Sequence, residues 1–224
     1  MADVADRMMV PGRTRIKFCG LTRVADIDAA VSAGADAVGF NCYDKSPRYV
    51  APDALAKLAS RVPAFVTPVL VFVNAAGDDI RQALALVPHA VLQFHGDESA
   101  QQCRVHRRPY VRALRVDRSI DWQRVDAEYA DALALLADAA VPGYGGGGEV
   151  FDWTHLPVAA RRRVPLILAG GLRAANVRQA IETVRPYAVD VSSGIEDAPG
   201  VKNAGKMREF ASAVFAAHPI PGGV

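Results

Sequence analysis

The feature of this sequence that most restricts its fold is an eightfold alternation of short apolar runs with amphipathic stretches. The apolar runs begin near residues 15, 35, 65, 90, 110, 132, 164 and 188, and most are rich in Val and Leu with little polar alternation. Such runs are typical of parallel strands that are covered by helices on one side. Strands that alternate with helices imply right-handed crossovers and a parallel sheet.

Eight strand–helix units within about 200 residues favour a closed barrel over an open, doubly wound sheet. An open sheet usually has fewer strands and a glycine-rich turn after the first one, whereas here Gly20 alone follows the first run. We therefore expect an α/β fold, a single (β/α)8 TIM barrel with outer helices, over residues 15–218. Residues 1–14 are predicted to be a loose extension of that domain.

Composition and charge exclude several classes of partner. The formal net charge is only +2, which gives no argument for a nucleic acid or an anionic membrane. The three cysteines, Cys19, Cys42 and Cys103, are odd in number and lack metal-ligand spacing, so we expect free thiols, no disulfide framework and no zinc site. No apolar run approaches the ~18 residues of a membrane span. We expect a cytoplasmic protein, and a monomer.

In a barrel of this type, functional side chains lie at the carboxyl ends of the strands. This rule gives a wider set of strand-end residues, among them Cys19 after the first run, Arg48 after the second, His95 after the fourth, Asp138 after the sixth and Asp190 in the eighth. The same set includes Asn74, Gln93 and Arg112 or Arg115. An unpaired buried carboxylate is costly, so Asp138 is expected to face the polar end of the barrel. Taken singly, a cysteine is more often a small buried apolar residue, and a lone histidine is more often structural.

The loops after the seventh and eighth runs are candidates for phosphate binding. Gly170 and Gly171 end one run, and Ser192, Ser193 and Gly194 end the other. Glycines let backbone N–H groups approach an anion, and these two loops are the usual phosphate site of the fold. The alternative is that the glycines only form tight turns.

Two further sequence features bear on the carboxyl end of the barrel, where the candidate residues lie. Lys17 points to the same side of its strand as Cys19, where it either favours the thiolate or forms a salt bridge inside the barrel. The glycine run Tyr144–Gly148 is typical of a flexible segment that can close over a ligand, although linkers have the same composition.

Six motifs in order resemble the phosphoribosylanthranilate isomerase family of tryptophan biosynthesis. Together they extend from about Arg15 to Phe215. The motifs are Lys17–Thr22, Gly39–Phe40 followed by Lys45–Val50, Gln93–Glu98, Tyr144–Gly148 with Phe151–Trp153, Leu168–Leu172, and Val189–Glu196.

The resemblance implies an Amadori rearrangement of N-(5-phosphoribosyl)anthranilate without metal or cofactor. The family's general base falls on Cys19 and its general acid on Asp138. The arginine that holds the anthranilate carboxylate falls on Arg48, and Asp190 is expected near the ribose hydroxyls. We also assign His95 to the substrate-binding residues, and the two loops described above to the phosphate.

Other functions on the same fold remain open at this point. A pentose-phosphate epimerase would need metal-binding histidines at strand ends, where only His95 qualifies. A synthase acting on indole-glycerol phosphate would need a lysine and glutamate cluster that the strand ends lack. A non-catalytic sugar-phosphate-binding protein would share the phosphate loops without turnover. An isomerase of broader specificity would also accept an aminoaldose of the histidine pathway.

Overall fold

The computed structural model describes residues 13–117, 119–139, 152–157 and 162–217 of the chain. Its eight main strands all pair in parallel and close into a barrel in the order of the sequence, with the first strand joined to the last. The strands are β1 Arg15–Cys19, β2 Ala37–Asn41, β3 Thr67–Phe72, β4 Val91–Phe94, β5 Tyr110–Val116, β6 Ala134–Ala139, β7 Leu166–Leu168 and β8 Ala188–Val191. The predicted TIM barrel is therefore confirmed.

Helices follow the strands as the amphipathic pattern predicts, and cover the outside of the barrel. They are α1 Val24–Ser32, α2 Pro52–Ala59, α3 Gly77–Leu86, α4 Ala100–Arg104, α5 Trp122–Glu128, α6 Ala174–Val184 and α7 Ala204–Ala216. Short 3-10 helices occur at Trp153–His155 and Ser193–Ile195, and a small antiparallel pair joins β9 Glu196–Ala198 to β10 Val201–Lys202. Within the described ranges, no helix is both long enough and apolar enough to cross a bilayer.

The apolar side chains form two separate layers. One set fills the barrel interior and includes Val111, Leu136 and Ile167. The larger set lies between the strands and the helices, where Phe18 of β1 packs edge-on against Phe210 of α7 with ring centroids 6.1 Å apart. This second layer gives most of the apolar burial that holds the helices on the barrel.

Two expectations about chain segments differ in detail from the structure. The third apolar run begins at Phe65, but β3 begins at Thr67, because a turn bonded from Val66 N–H to Pro63 O leaves Phe65 fully exposed with φ +69°. Arg13 and Thr14, the end of the expected loose extension, contact the barrel: Arg13 pairs with Asp36 at 2.7 Å and Thr14 is buried. The glycine run at 144–148 and residues 1–12 lie outside the described residues.

The apolar layer between the strands and the helices leads to a prediction for stability. Replacing Phe18 by Ala is expected to lower the free energy of unfolding by about 3–5 kcal/mol, since it removes a fully buried ring and leaves a cavity. The matched control is Phe65→Ala, which truncates a phenylalanine that is fully exposed to solvent. It is expected to change stability by less than about 0.5 kcal/mol. Urea unfolding of both variants measures the difference, and equal losses would contradict this account of the core.

Candidate active site

Strand closure brings the predicted residues to one end of the barrel, here called the mouth, where the carboxyl ends of the strands lie. Cys19 is the last residue of β1, and Asp138 is the penultimate residue of β6. Asp190 lies in β8, and the register places it beside Lys17. Arg48 and His95 follow β2 and β4 in the chain, so all five predicted side chains belong to the same end.

Cys19 lies beside a buried ion pair. Lys17 Nζ donates to both carboxylate oxygens of Asp190, at 3.0 and 3.1 Å. Gly39 on the neighbouring strand leaves room for these side chains, because a Cβ there would lie only 2.7 Å from Cys19 Sγ and 3.0 Å from Lys17 Nζ. The sequence left open whether Lys17 favours the thiolate of Cys19 or forms a salt bridge inside the barrel. In the structure Lys17 forms the salt bridge and also lies next to the thiol.

The electrostatics of the thiol are set by opposing effects. Burial raises the pKa of Cys19, the positive charge of Lys17 lowers it, and the carboxylate of Asp190 raises it again, with a net rise above the ordinary thiol value. Burial alone would lower the pKa of Lys17, but attraction to Asp190 and Cys19 outweighs this and raises it. In the ligand-free site, Lys17 is therefore charged at neutral pH while the thiol form of Cys19 dominates.

Both oxygens of Asp138 have a hydrogen-bonding partner. Its Oδ1 accepts from the backbone N–H of Ala139 at 2.9 Å, and its Oδ2 lies 3.1 Å from His95 Nε2. The other ring nitrogen of His95, Nδ1, lies 3.2 Å from Nε2 of Gln93. Because protein groups occupy both ring nitrogens, we expect His95 to influence the substrate through Asp138 rather than by direct contact.

Arg48 is fixed in place by a carboxylate from the far end of the chain. Its Nε and Nη2 donate to the two oxygens of Glu196 at 2.8 and 2.7 Å, a bidentate geometry, while its backbone N–H bonds Ser46 Oγ. Among the described residues, none accepts a hydrogen bond from Nη1, so Glu196 leaves one nitrogen of the guanidinium without a partner in that part of the chain.

Lys202 is a buried cation at this end that the sequence reasoning did not single out. Its Nζ donates to Glu196 Oε1 at 2.7 Å, and to the carbonyl and hydroxyl oxygens of Ser192 at 3.0 and 3.2 Å. Burial lowers the pKa of Lys202 more than its contact with Glu196 raises it. Glu196 thus connects Arg48 to the Ser192 loop, and no local motif signals that link because Arg48 and Glu196 are 148 positions apart.

The two glycine-containing loops lie next to each other, as predicted. Gly194 of the β8 loop lies against the carbonyl of Leu172 in the β7 loop. Within the described ranges, the backbone N–H groups of Gly170, Gly171, Ser193 and Gly194 donate to no backbone acceptor. Unpaired N–H groups at adjacent loops are what an anion such as phosphate requires.

Gly170 has a second role beside the general acid candidate. It adopts φ +81°, and a Cβ there would lie 2.6 Å from Ala139 N and 3.0 Å from Asp138 Oδ1. Any side chain would therefore disturb the hydrogen bond that holds Asp138, as well as strain the backbone. The glycine that the sequence assigns to phosphate binding also makes room for the carboxylate.

Within the described ranges, no group of three or more His, Cys, Asp or Glu side chains has an arrangement that could hold a metal ion. The site instead consists of acid–base groups at the mouth of a (β/α)8 barrel, next to a backbone cradle suited to an anion. These features define a class of enzyme, the barrels that act on small phosphorylated substrates.

Comparison with known proteins gives the family within that class. Residues 16–213 match the model of the N-(5'phosphoribosyl)anthranilate (PRA) isomerase family. The N-(5'-phosphoribosyl)anthranilate isomerases of Methylibium petroleiphilum and Leptothrix cholodnii are 54% and 51% identical to this chain, over 90% and 92% of it and 94% and 93% of their own lengths. This chain belongs to the phosphoribosylanthranilate isomerase family and is an enzyme.

Solved structures agree with this assignment. Phosphoribosyl anthranilate isomerase from Thermotoga maritima superposes with a TM-score of 0.83 at 38% identity, over 91% of this chain and 99% of that one. A solved isomerase in complex with reduced 1-(o-carboxyphenylamino)-1-deoxyribulose 5-phosphate superposes at 0.79 with 37% identity and the same coverage. The 3-hexulose-6-phosphate synthase of Salmonella typhimurium, at 17% identity, shares the fold.

The close approach of Gly170 to Asp138 and Ala139 leads to a prediction that an ordinary turn glycine would not fulfil. Gly170→Ala is expected to lower stability by about 1 kcal/mol or more through backbone strain, and to reduce kcat because Asp138 is displaced. The control is Gly77→Ala at the start of α3, where φ is not positive and a Cβ meets only the end of Arg81, so activity is retained. Full activity in the Gly170 variant would contradict the proposed contact.

The Glu196 cluster makes a prediction for pH dependence. Burial alone would raise the pKa of Glu196, but hydrogen bonds from Arg48 and Lys202 hold it below its ordinary value. The ionised Glu196 therefore contributes its full stabilisation above the pKa of a glutamate in the unfolded chain, about 4.3. This contribution is lost as the pH falls through the lower pKa of Glu196 in the folded protein.

Glu196→Gln is accordingly expected to cost about 1–3 kcal/mol of unfolding free energy at pH 7 and much less in acid. Denaturant titrations from pH 7 to pH 3 measure this convergence. The control, Glu182→Gln, breaks the exposed pair with Arg178 and is expected to have almost no effect at any pH. A Glu196→Gln deficit that stays constant down to pH 3 would refute the charge-based explanation.

Proposed function

We propose that this chain catalyses the Amadori rearrangement of N-(5'-phosphoribosyl)anthranilate to 1-(2-carboxyphenylamino)-1-deoxyribulose 5-phosphate, with Cys19 as general base and Asp138 as general acid. The observation that carries the proposal is the meeting at one mouth of a thiol on β1 and a carboxylate on β6, next to unpaired N–H groups of the β7 and β8 loops. Family membership supports the choice of reaction.

The first step opens the sugar ring. Asp138, in its protonated form, gives its proton to the furanose ring oxygen, and the bond between that oxygen and C1 breaks. The nitrogen lone pair forms the C1=N bond of a Schiff base. Asp138 is then a carboxylate whose oxygens accept from Ala139 N–H and from His95, which stabilises the charge that the step creates.

The second step moves a proton from carbon. Cys19, as the thiolate, removes the proton from C2, and the electrons of the C–H bond form a C1=C2 double bond as the Schiff base nitrogen becomes neutral. The resulting enolamine then takes a proton at C1 and loses one from the C2 hydroxyl, which gives the ketone. Lys17, next to the sulfur, stabilises the thiolate when it forms.

Binding follows from the two charged ends of the substrate. We assign the phosphate to the loops of Gly170, Gly171, Ser192, Ser193 and Gly194, and Lys202, which bonds Ser192, adds a positive charge there. Arg48 Nη1 is left to bind the anthranilate carboxylate. Asp190, already bonded to Lys17, is placed near the ribose hydroxyls, and His95 supports Asp138.

The expectations that the chain is cytoplasmic and works as a monomer stay predictions. The reaction itself is tested by adding phosphoribosylanthranilate to the purified protein without metal, and following the loss of anthranilate-derivative fluorescence. A non-catalytic sugar-phosphate-binding protein would gain thermal stability from the substrate and show no turnover. An aminoaldose phosphate of the histidine pathway, assayed in parallel, tests for broader specificity.

The assignment of acid and base predicts large losses in two variants. Cys19→Ser and Asp138→Asn are each expected to reduce kcat by roughly 10²–10⁴-fold, since each removes one general acid–base group. Cys42→Ser is the matched control and is expected to keep wild-type kcat, since among the described residues the Cys42 thiol bonds only the Phe40 carbonyl, at 4.0 Å. Near-wild-type turnover in either of the first two variants would remove that residue from its proposed role.

The raised thiol pKa predicts how Cys19 titrates in the free enzyme. Because burial disfavours the thiolate, the rate at which iodoacetamide alkylates Cys19 is expected to keep rising with pH past the ordinary thiol pKa of about 8.5. Comparing the wild type with Cys19→Ser from pH 6 to pH 10 isolates this thiol, with circular dichroism at each pH to confirm folding. An alkylation rate that has levelled off below pH 7.5 would contradict a buried thiol whose pKa is raised.

A further inference from the structure

Gln93 is a buried amide that the mechanism above does not use. It lies in β4, where its register partners are Val71 on β3 and Val111 on β5, and its side chain is only 1% exposed. Nε2 lies 3.2 Å from His95 Nδ1. The other end of the amide, Oε1, is buried and meets no donor among the described residues.

With Nε2 of Gln93 facing the ring, as in this structure, the contact assigns the proton of neutral His95 to one nitrogen. An amide nitrogen can only donate, so Nδ1 of the ring accepts and carries no proton. The proton of a neutral imidazole is then on Nε2, which faces Asp138 Oδ2 at 3.1 Å and donates to it. In this arrangement both oxygens of Asp138 accept hydrogen bonds, which suits the carboxylate that remains after Asp138 has given up its proton.

The protonated form of Asp138 needs the opposite arrangement. If Oδ2 carries the proton, it donates a hydrogen bond to Nε2, which must then be unprotonated. The proton of the neutral ring therefore lies on Nδ1. Only an acceptor at position 93 suits that tautomer, and the same amide supplies one when it turns over and presents Oε1. Because Oε1 has no partner in the described ranges, no second hydrogen bond opposes this rotation.

We propose that Gln93 is a positioning residue that matches the tautomer of His95 to the protonation state of Asp138. It donates to Nδ1 when Asp138 is a carboxylate and accepts from Nδ1 when Asp138 holds its proton. An amide serves both states, whereas a carboxylate or a thioether at this position serves one state or neither. The inference rests on the proposed role of Asp138 as general acid, and it assigns to Gln93 no contact with substrate.

Other charged groups around the pair are already engaged. On β5, Arg112 donates to Glu98 at 3.0 Å and to the carbonyls of Phe94 and Gly96, below the loop that carries His95. Arg115 is the register partner of Asp138, and its residue is exposed. Across the mouth lie Cys19 and the Lys17–Asp190 pair. The Gln93–His95–Asp138 chain is therefore the direct hydrogen-bonding route to Oδ2 within the described residues.

The test compares three variants of the full chain by 15N NMR of the His95 imidazole, which distinguishes the two tautomers and the imidazolium without any turnover. The wild type above neutral pH is expected to show the proton on Nε2. Gln93→Glu is expected to protonate Nδ1, since a carboxylate only accepts. Gln93→Met, which neither donates nor accepts in this geometry, is expected to give a mixture. Val111→Ala, a change in the same interior layer, is expected to leave the wild-type tautomer.

Activity gives the second readout. We expect Gln93→Glu and Gln93→Met to lower kcat by about tenfold or more, and to move the acid limb of the kcat profile, with Val111→Ala leaving that limb in place. An unprotonated Nδ1 in Gln93→Glu, or an unchanged acid limb in both Gln93 variants, would overturn the proposal. High activity in Asp138→Asn would instead overturn the role of Asp138, while the tautomer measurements would still report on Gln93.

Discussion

The pairing of the first strand with the last is the constraint on which the rest of the site depends. This seam closes the barrel, and its register sets Lys17 beside Asp190, so that the ion pair forms only when the ends of the chain come together. Such a pair is costly to bury, and its short, doubly hydrogen-bonded geometry offsets that cost. The same register brings Cys19 next to the loop that begins at Ser192. Closure of the barrel therefore also brings the proposed base next to the proposed anion-binding loop.

The site combines groups that are held firmly with groups left free to act. Glu196 holds Arg48 by two of its nitrogens and leaves the third available, and it holds Lys202 against Ser192. A fixed arginine loses less entropy when it binds a carboxylate than a mobile one does. Cys19, unlike Arg48 and Lys202, is not held in its charged form, because burial raises the pKa of its thiol. The thiol stays protonated until the charges around it change. Asp190 partly cancels Lys17, so a substrate hydroxyl that bonds Asp190 would strengthen the effect of Lys17 on the thiol.

The sequence predicted the barrel and the end at which function lies, because hydrophobic periodicity is local and strand ends follow from it. It could not predict that Glu196 pairs with Arg48, since these residues are 148 positions apart and their contact depends on side-chain rotamers. The orientation of Gln93 was inaccessible for the same reason. β3 begins at Thr67, slightly after the start of its apolar run, because Phe65 lies in an exposed turn. Roles for Cys19 and Asp138 came from family resemblance, not from physical pattern.

The main requirement of the mechanism is that Cys19 acts at C2 and Asp138 at the ring oxygen of one sugar phosphate, two atoms that are both bonded to C1. The most direct measurement is a crystal structure of this chain with reduced 1-(o-carboxyphenylamino)-1-deoxyribulose 5-phosphate, the compound bound in a structural neighbour. We predict Cys19 Sγ at about 3–3.5 Å from the sugar carbon C2, an oxygen of Asp138 at hydrogen-bonding distance from the hydroxyl that was the ring oxygen, and the phosphate on the β7 and β8 loops. A complex in which C2 lies far from the sulfur while the phosphate occupies those loops would contradict the claim.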